Sequence, residues 1–343
     1  MRSFTFTKLV ASLALQWATL RLPTASAAPP SPGSLWQVSP PLDYNDTLYA
    51  GWDQISVEKE IQIYNGVAQN RTYAHHPELF AVGTNVFLIY SSAPVDEDSM
   101  GQDSELYADT VYGTEYGMKK CARACEINNI LKKPDEAPAW SPWLYNNGLF
   151  AADGTHQMEE QTFAVWHNDS DSPTGGYWQR HWRDISPEKD NTHSVWIEYN
   201  EDPNGDGWYP KVKEPLGNEI YQTNIPDAKT KQFLGKLDQT GDRYLLSNPR
   251  YNAADPQRQP LTLAVSRGKD QTYTAVGVLR TNATKDIVPD TRDGIKNRAH
   301  GFSYPTAVQV GDKLVVAYSE NKENIWVSIV DIAALPEGAK ARS

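Results

Sequence analysis

Cysteine is nearly absent from this chain: two residues in 343, Cys121 and Cys125. Two thiols alone cannot build a structural zinc site, and they close at most one small disulfide loop. Covalent staples therefore cannot hold the fold together, and a large apolar core must do so. Runs with a helical repeat are also scarce, Gly117–Leu131 being the best. Beyond residue 27 no apolar stretch is long enough to span a bilayer. Positive charge is in deficit, with 32 Lys and Arg against 43 Asp and Glu. A net charge of −11 repels phosphate backbones and argues against a nucleic-acid partner.

What the chain does have begins at its start. Residues 1–27 carry Arg2 and Lys8, an apolar stretch Leu9–Leu20, and the small-residue end Thr24-Ala25-Ser26-Ala27. That pattern predicts a cleaved secretory signal. Its removal takes away three positive charges and no acid, which shifts the net charge from −11 to −14. The expected product is a secreted monomer, not held at a membrane. In an oxidising compartment Cys121 and Cys125 are expected to pair. The sequons at Asn45, Asn70, Asn168 and Asn282 are expected to lie in exposed loops and carry glycans.

Residues 28–45 are rich in Pro and Ser and read as an extended leader. From 46 to 343 no linker divides the chain, so one domain is expected. Strand-like runs recur at Glu60–Tyr64, Val86–Ser91, Val195–Tyr199, Arg243–Leu246, Leu261–Ser266, Thr274–Leu279, Leu314–Ser319 and Ile325–Val330, separated by turn residues. Eleven Trp and eighteen Tyr suit an all-β protein with a sugar-facing pocket. The runs Leu261–Ser266 and Leu314–Ser319 start 53 residues apart, near the length of one four-stranded blade. The prediction is an all-β β-propeller of six blades, or five with long insertions, with a jelly roll or double-sheet sandwich as the other architecture.

Four stretches carry candidate chemistry. His75-His76-Pro77 precedes a strand, and the acidic loop Asp96–Asp98 follows it, with Gln102 close behind. An imidazole beside a carboxylate suits acid–base work, although a structural His before a Pro and a solvated loop fit the same residues. Gly175–Arg183 interleaves aromatics with Arg180 and His181, a pattern that stacks on sugar rings and forks onto carboxylates. Asp202, Asn204 and Asp206 sit like the front half of a calcium loop, but the distal Glu is displaced to Glu214. A plain turn fits those residues as well, so a structural calcium is optional and no cofactor is required. The hairpin Leu314–Ser319 and Ile325–Val330 should be buried on both faces. Gly301-Phe302-Ser303-Tyr304-Pro305 enters it, and Pro305 places Tyr304 at a strand start or rim, its hydroxyl facing a pocket.

The order of pieces over residues 240–335 resembles the sialidase superfamily of Asp-box repeats. The pieces are Ser247-Asn248-Pro249, Arg258 before Leu261-Thr262-Leu263, a degenerate Asp-box turn at Ser266–Tyr273, Gly301–Tyr304 and Tyr318-Ser319-Glu320. That resemblance implies Tyr304 as a nucleophile and Arg258 as a carboxylate-binding arginine. A tyrosine nucleophile needs a carboxylate beside it, assigned to Glu219, and an acid for the leaving group, assigned to Asp98 or His76. Arg180, Gln102 and Lys322 complete the expected substrate contacts. His75-His76-Pro77 stands where the family carries an arginine, which turns the expectation away from sialic acid and toward a non-sialic or acidic sugar. Three readings follow: an exo-acting glycoside hydrolase, a uronate lyase using His and Tyr, and a non-catalytic lectin-like propeller.

Overall fold

A computed structural model of the chain describes residues 35–39, 52–71, 73–94, 105–112, 149–150, 157–159, 162, 164–168, 174–185, 194–200, 220–249, 258–266, 272–281 and 301–336. The signal segment, most of the leader, the helical candidate Gly117–Leu131, both cysteines and the loop carrying Asp202, Asn204 and Asp206 lie outside them.

The described residues are all-β. In chain order the strands are β1 (Val57–Asn65), β2 (Tyr73–Val82), β3 (Asn85–Ala93), β4 (Glu105–Tyr112), β5 (Leu149–Phe150), β6 (Gln157–Glu159), β7 (Val165–Asn168), β8 (Gly176–Asp184), β9 (Ser194–Asn200), β10 (Ile220–Pro226), β11 (Phe233–Lys236), β12 (Arg243–Ser247), β13 (Leu261–Ser266), β14 (Ala275–Arg280), β15 (Phe302–Val310), β16 (Lys313–Glu320) and β17 (Asn324–Asp331). All eight runs expected from sequence are strands.

The strands form antiparallel sheets of order β2-β3-β4, β10-β9-β8-β6-β5 with β7 also on β8, β11-β12-β13-β14, and β1-β17-β16-β15. The last is completed by β1, the first of the described strands, which pairs along β17. That pairing covers an edge that would otherwise present free N–H and C=O groups.

Sheets pack face to face through apolar clusters. Leu79, Val86 and Leu88 meet Val315, Ala317, Ile325 and Val327. Leu261, Leu263 and Leu246 meet Phe302, Leu314, Val316 and Tyr318. Val195, Ile197 and Ile225 meet Leu245 and Ala264. A sheet covered on both faces needs apolar side chains at consecutive positions, so β13 and β16 read Leu-Thr-Leu-Ala-Val-Ser and Leu-Val-Val-Ala-Tyr. Each such Leu or Val contributes about 1.5–3 kcal/mol when fully buried.

Two hairpins are copies of one unit. Residues 75–92 align without a gap to 303–320, sharing Pro77/Pro305, Val82/Val310, Gly83/Gly311, Tyr90/Tyr318 and Ser91/Ser319. The strand registers agree as well: His75 faces Ser91 and Ser303 faces Ser319, with a bulge before Glu78 and before Thr306. The turn glycines match too, Gly83 at φ +62° and Gly311 at φ +60°. His76 thus occupies in β2 the place that Tyr304 occupies in β15. His75-His76-Pro77 therefore lies inside a strand, not before one, because the bulge absorbs the proline that lacks a ladder donor. Pro305 behaves likewise, within β15 and not at its start.

Candidate active site

Tyr304 is the centre of the site. Its backbone is at φ +54°, in the left-handed region that costs a non-glycine residue about 1–2 kcal/mol. The surroundings hold it there. Gly301 stands at φ +119°, and a Cβ on it would lie 2.3 Å from the Arg258 carbonyl oxygen. Phe302 N–H donates to that same carbonyl at 2.7 Å, and Asn321 N–H donates to the Gly301 carbonyl at 2.8 Å. The Asn321 side chain accepts from Gly301 N–H at 2.8 Å. Only glycine permits this approach of backbones, which seats Arg258 beside the Tyr304 ring.

The phenol meets side chains from distant strands. Arg183 Nη1, at the end of β8, donates to Tyr304 Oη at 3.1 Å. The rings of His75 and His76 lie 4.1 Å and 4.9 Å from the Tyr304 ring, and the Arg258 guanidinium carbon lies 5.7 Å from it. Tyr304 is 6% exposed, so its hydroxyl is largely withdrawn from water.

His75 is fully buried, and its Nδ1 lies 2.6 Å from Ser319 Oγ. Burial pushes its pKa well below the ordinary histidine value, and His76, Lys322, Arg258 and Arg183 push it further the same way. It is therefore a neutral imidazole that positions the tyrosine. His76 is exposed, with Nδ1 3.3 Å from Ser91 Oγ. Lys322 sits half-buried in the β16–β17 turn at φ +56°. Its carbonyl accepts from Ala74 N–H at 2.8 Å, which ties that turn to β2.

Asp227 follows β10 and is fully buried. Burial raises its carboxyl to about 7, with Gln232, the cation Arg183, the Thr230 backbone and Arg258 opposing the rise. Gln232 and Thr230 temper the shift without reaching aligned hydrogen-bond geometry, since both carboxylate oxygens lack such a partner. Asn248 links this acid to the arginine: its carbonyl accepts from Ala228 N–H at 2.9 Å, and its amide donates to the Arg258 carbonyl at 3.1 Å.

Strands β2, β8 and β15, the residues after β10 and before β13, and the β16–β17 turn thus bring together a phenol, two guanidiniums, an ammonium, two imidazoles and a buried acid. Such a set can hold an anionic group, favour ionisation of the phenol, and exchange a proton near neutral pH.

Of the residues singled out from sequence, Tyr304, His75, His76, Arg258 and Lys322 converge here. Arg180 does not: its Nε pairs with Glu198 Oε2 at 2.7 Å, both side chains buried, and Trp182 Nε1 donates to the same oxygen at 2.9 Å. It braces β8 against β9, and the arginine that reaches the tyrosine is Arg183, three residues on. Strand alternation puts positions 180 and 183 on opposite faces, a signal available in the sequence. Asp227 belongs to no motif and had no such signal. Asp98, Gln102 and Glu219 lie outside the described residues, as do Asn45 and Asn282. Asn70, at φ +53° in a turn, and Asn168, at the end of β7, are exposed. Among the described residues no group of three or more His, Cys, Asp or Glu stands close enough to hold a metal, and no helix is long and apolar enough to cross a membrane.

No family model matches the chain, and no curated protein sequence matches it. Solved structures that partly superpose include a sialidase, 13% identical, covering 82% of this chain and 33% of that one at a TM-score of 0.41. A glycosyl hydrolase from Bacteroides ovatus is 8% identical, with 92% and 99% of the two chains covered at 0.40. A GH62 hydrolase in complex with xylotriose is 10% identical, with 83% and 100% covered at 0.38. The chain spans about a third of the length of that sialidase.

Proposed function

We propose that this chain is a secreted, carbohydrate-active β-propeller: an exo-acting glycoside hydrolase of sialidase-like type working on an acidic sugar other than sialic acid. The observation that carries this reading is the hydrogen bond from Arg183 on β8 to the Tyr304 hydroxyl on β15. The ring reading rests on face-to-face packing of successive sheets and on β1 completing the last of them. The described strands form four sheets, and the number of blades is left at the expected six or five. Export rests on the signal-like residues 1–27.

In this reading Tyr304 passes its proton to the neighbouring carboxylate, assigned to Glu219, and its oxygen attacks the anomeric carbon as the glycosidic C–O bond breaks. Arg183 steadies the negative charge on the phenol oxygen, and Arg258 and Lys322 hold the sugar's acidic group. The leaving oxygen takes its proton from Asp98 or His76. Water then cleaves the glycosyl–tyrosine bond, giving its proton to the spent acid while the carboxylate returns the first proton to the phenol. Asp227 supplies a buried carboxyl near Arg183 and Arg258, while the carboxylate beside the phenol stays assigned to Glu219, as read from sequence. Assay of the purified protein on a panel of aryl glycosides of uronic and neutral sugars tests this. Release of aryl alcohol by the wild type and not by Tyr304→Phe supports it; turnover by both, or by neither, overturns it.

A second reading, a uronate lyase, draws on the contact between the His76 and Tyr304 rings. There the pair abstracts and returns a proton beside a carboxylate neutralised by the arginines. An unsaturated product absorbing in the ultraviolet distinguishes it from hydrolysis.

A further inference from the structure

Away from Tyr304, a second polar cluster lies between β7–β9 and β12–β13. Arg243 on β12 is 2% exposed. Among the described residues its guanidinium makes hydrogen bonds only to neutral acceptors: Gln179 Oε1 at 2.9 Å and Ser266 Oγ at 3.5 Å. The groups that bear on its charge, after burial, are the hydroxyls of Tyr273, Tyr177 and Tyr199, and no carboxylate is among them. An arginine stays protonated even when buried, and a buried charge without a partner of opposite sign is costly.

The donors around it outnumber the acceptors. Gln179 Oε1 is already shared by Arg243 Nη1 and by His167 Nε2 at 3.0 Å. The Gln179 amide lies 3.0 Å from His181 Nε2. That contact makes Nε2 the acceptor and puts the His181 proton on Nδ1. Three buried groups then lack a partner: Tyr199 Oη, Tyr273 Oη and His181 Nδ1. Both histidines are neutral at ordinary pH, since burial first, and then Arg243, lowers His167 to about 2 and His181 to about 3. They add no charge, and the cluster keeps one uncompensated positive charge ringed by hydrogen-bond donors.

We propose that Arg243, with the hydroxyls of Tyr199 and Tyr273, binds one small monovalent anion of the halide class between these two sheets. The anion accepts from the guanidinium and both phenols and neutralises the buried charge, which water cannot do. It works as a structural clamp between neighbouring sheets and takes no part in the chemistry at Tyr304.

The test is thermal unfolding of the purified protein in sodium chloride and in sodium gluconate at one ionic strength, gluconate being too large for a buried site. Above saturation, each tenfold rise in chloride should raise the folded-to-unfolded ratio about tenfold. Tyr199→Phe and Tyr273→Phe remove one ligand each without changing shape and should weaken that dependence. Arg243→Met should abolish it. Crystals soaked in bromide should show an anomalous peak beside the Arg243 guanidinium. Equal stability in the two salts, with no bromide peak there, overturns the proposal and leaves the cluster hydrated only.

Discussion

Tyr304 and His76 hold the same place in two neighbouring sheets. Each precedes a proline at a bulge, at φ +54° and φ +52°, and their rings meet edge to face at 4.9 Å. A residue before proline is already turned away from the helical region, and the bulge turns its side chain off the sheet. One backbone device, used twice, aims two proton-active side chains at each other.

Replacing the phenol tests the site most directly. Tyr304→Phe keeps the ring packed on His75 and removes only the oxygen bonded to Arg183. Turnover should fall by about a thousandfold, while the thermal midpoint stays near wild type. A variant that unfolds early would show the hydroxyl to be structural.

Asp227 makes a prediction about pH. Its folded-state pKa is raised from 3.8 to about 7, so the folded protein binds that proton more tightly than the unfolded chain. The associated stability is fully present below pH 3.8, declines as pH rises, and is lost above about 7. Asp227→Asn stays neutral throughout. It should therefore be more stable than wild type at pH 8, by a few kcal/mol at about 1.4 per pH unit, and less active. Denaturant titrations at pH 4, 6 and 8 read the difference; parallel curves for the two proteins would exclude a buried titrating acid.

Gly301→Ala should displace Arg258 while leaving its own side chain unaltered. The new Cβ meets the Arg258 carbonyl at 2.3 Å, on a backbone at φ +119°. Either Arg258 or β15 must move. We expect a thermal midpoint several degrees lower, and a kcat/KM reduced about a hundredfold in the fraction that remains folded.

Arg180 should behave as a structural residue. Glu198→Gln removes the carboxylate that Arg180 pairs with at 2.7 Å, and breaking a buried pair costs about 3–5 kcal/mol. Chemical denaturation should show that loss, with turnover per folded molecule unchanged. A collapse of kcat in a protein of wild-type stability would instead return Arg180 to the substrate.

The sequence by itself determined the fold class. Alternating and fully apolar runs bounded by turn residues have few other ways to satisfy their backbones, and β13 begins and ends where the run Leu261–Ser266 does. It also singled out Tyr304, because Gly-Phe-Ser-Tyr-Pro leading into a buried strand is a local pattern. Only the tertiary structure decided which charges stand beside that tyrosine. Arg183 is 121 residues away in sequence, and nothing local separates it from Arg180 except the face of β8 on which it falls. Asp227 acquires its chemistry from burial near Arg183 and Arg258, on other segments of the chain, an environment that exists only once the sheets have packed. Pairing and periodicity are written along the chain; electrostatics depends on distances through space, which the folded chain alone sets.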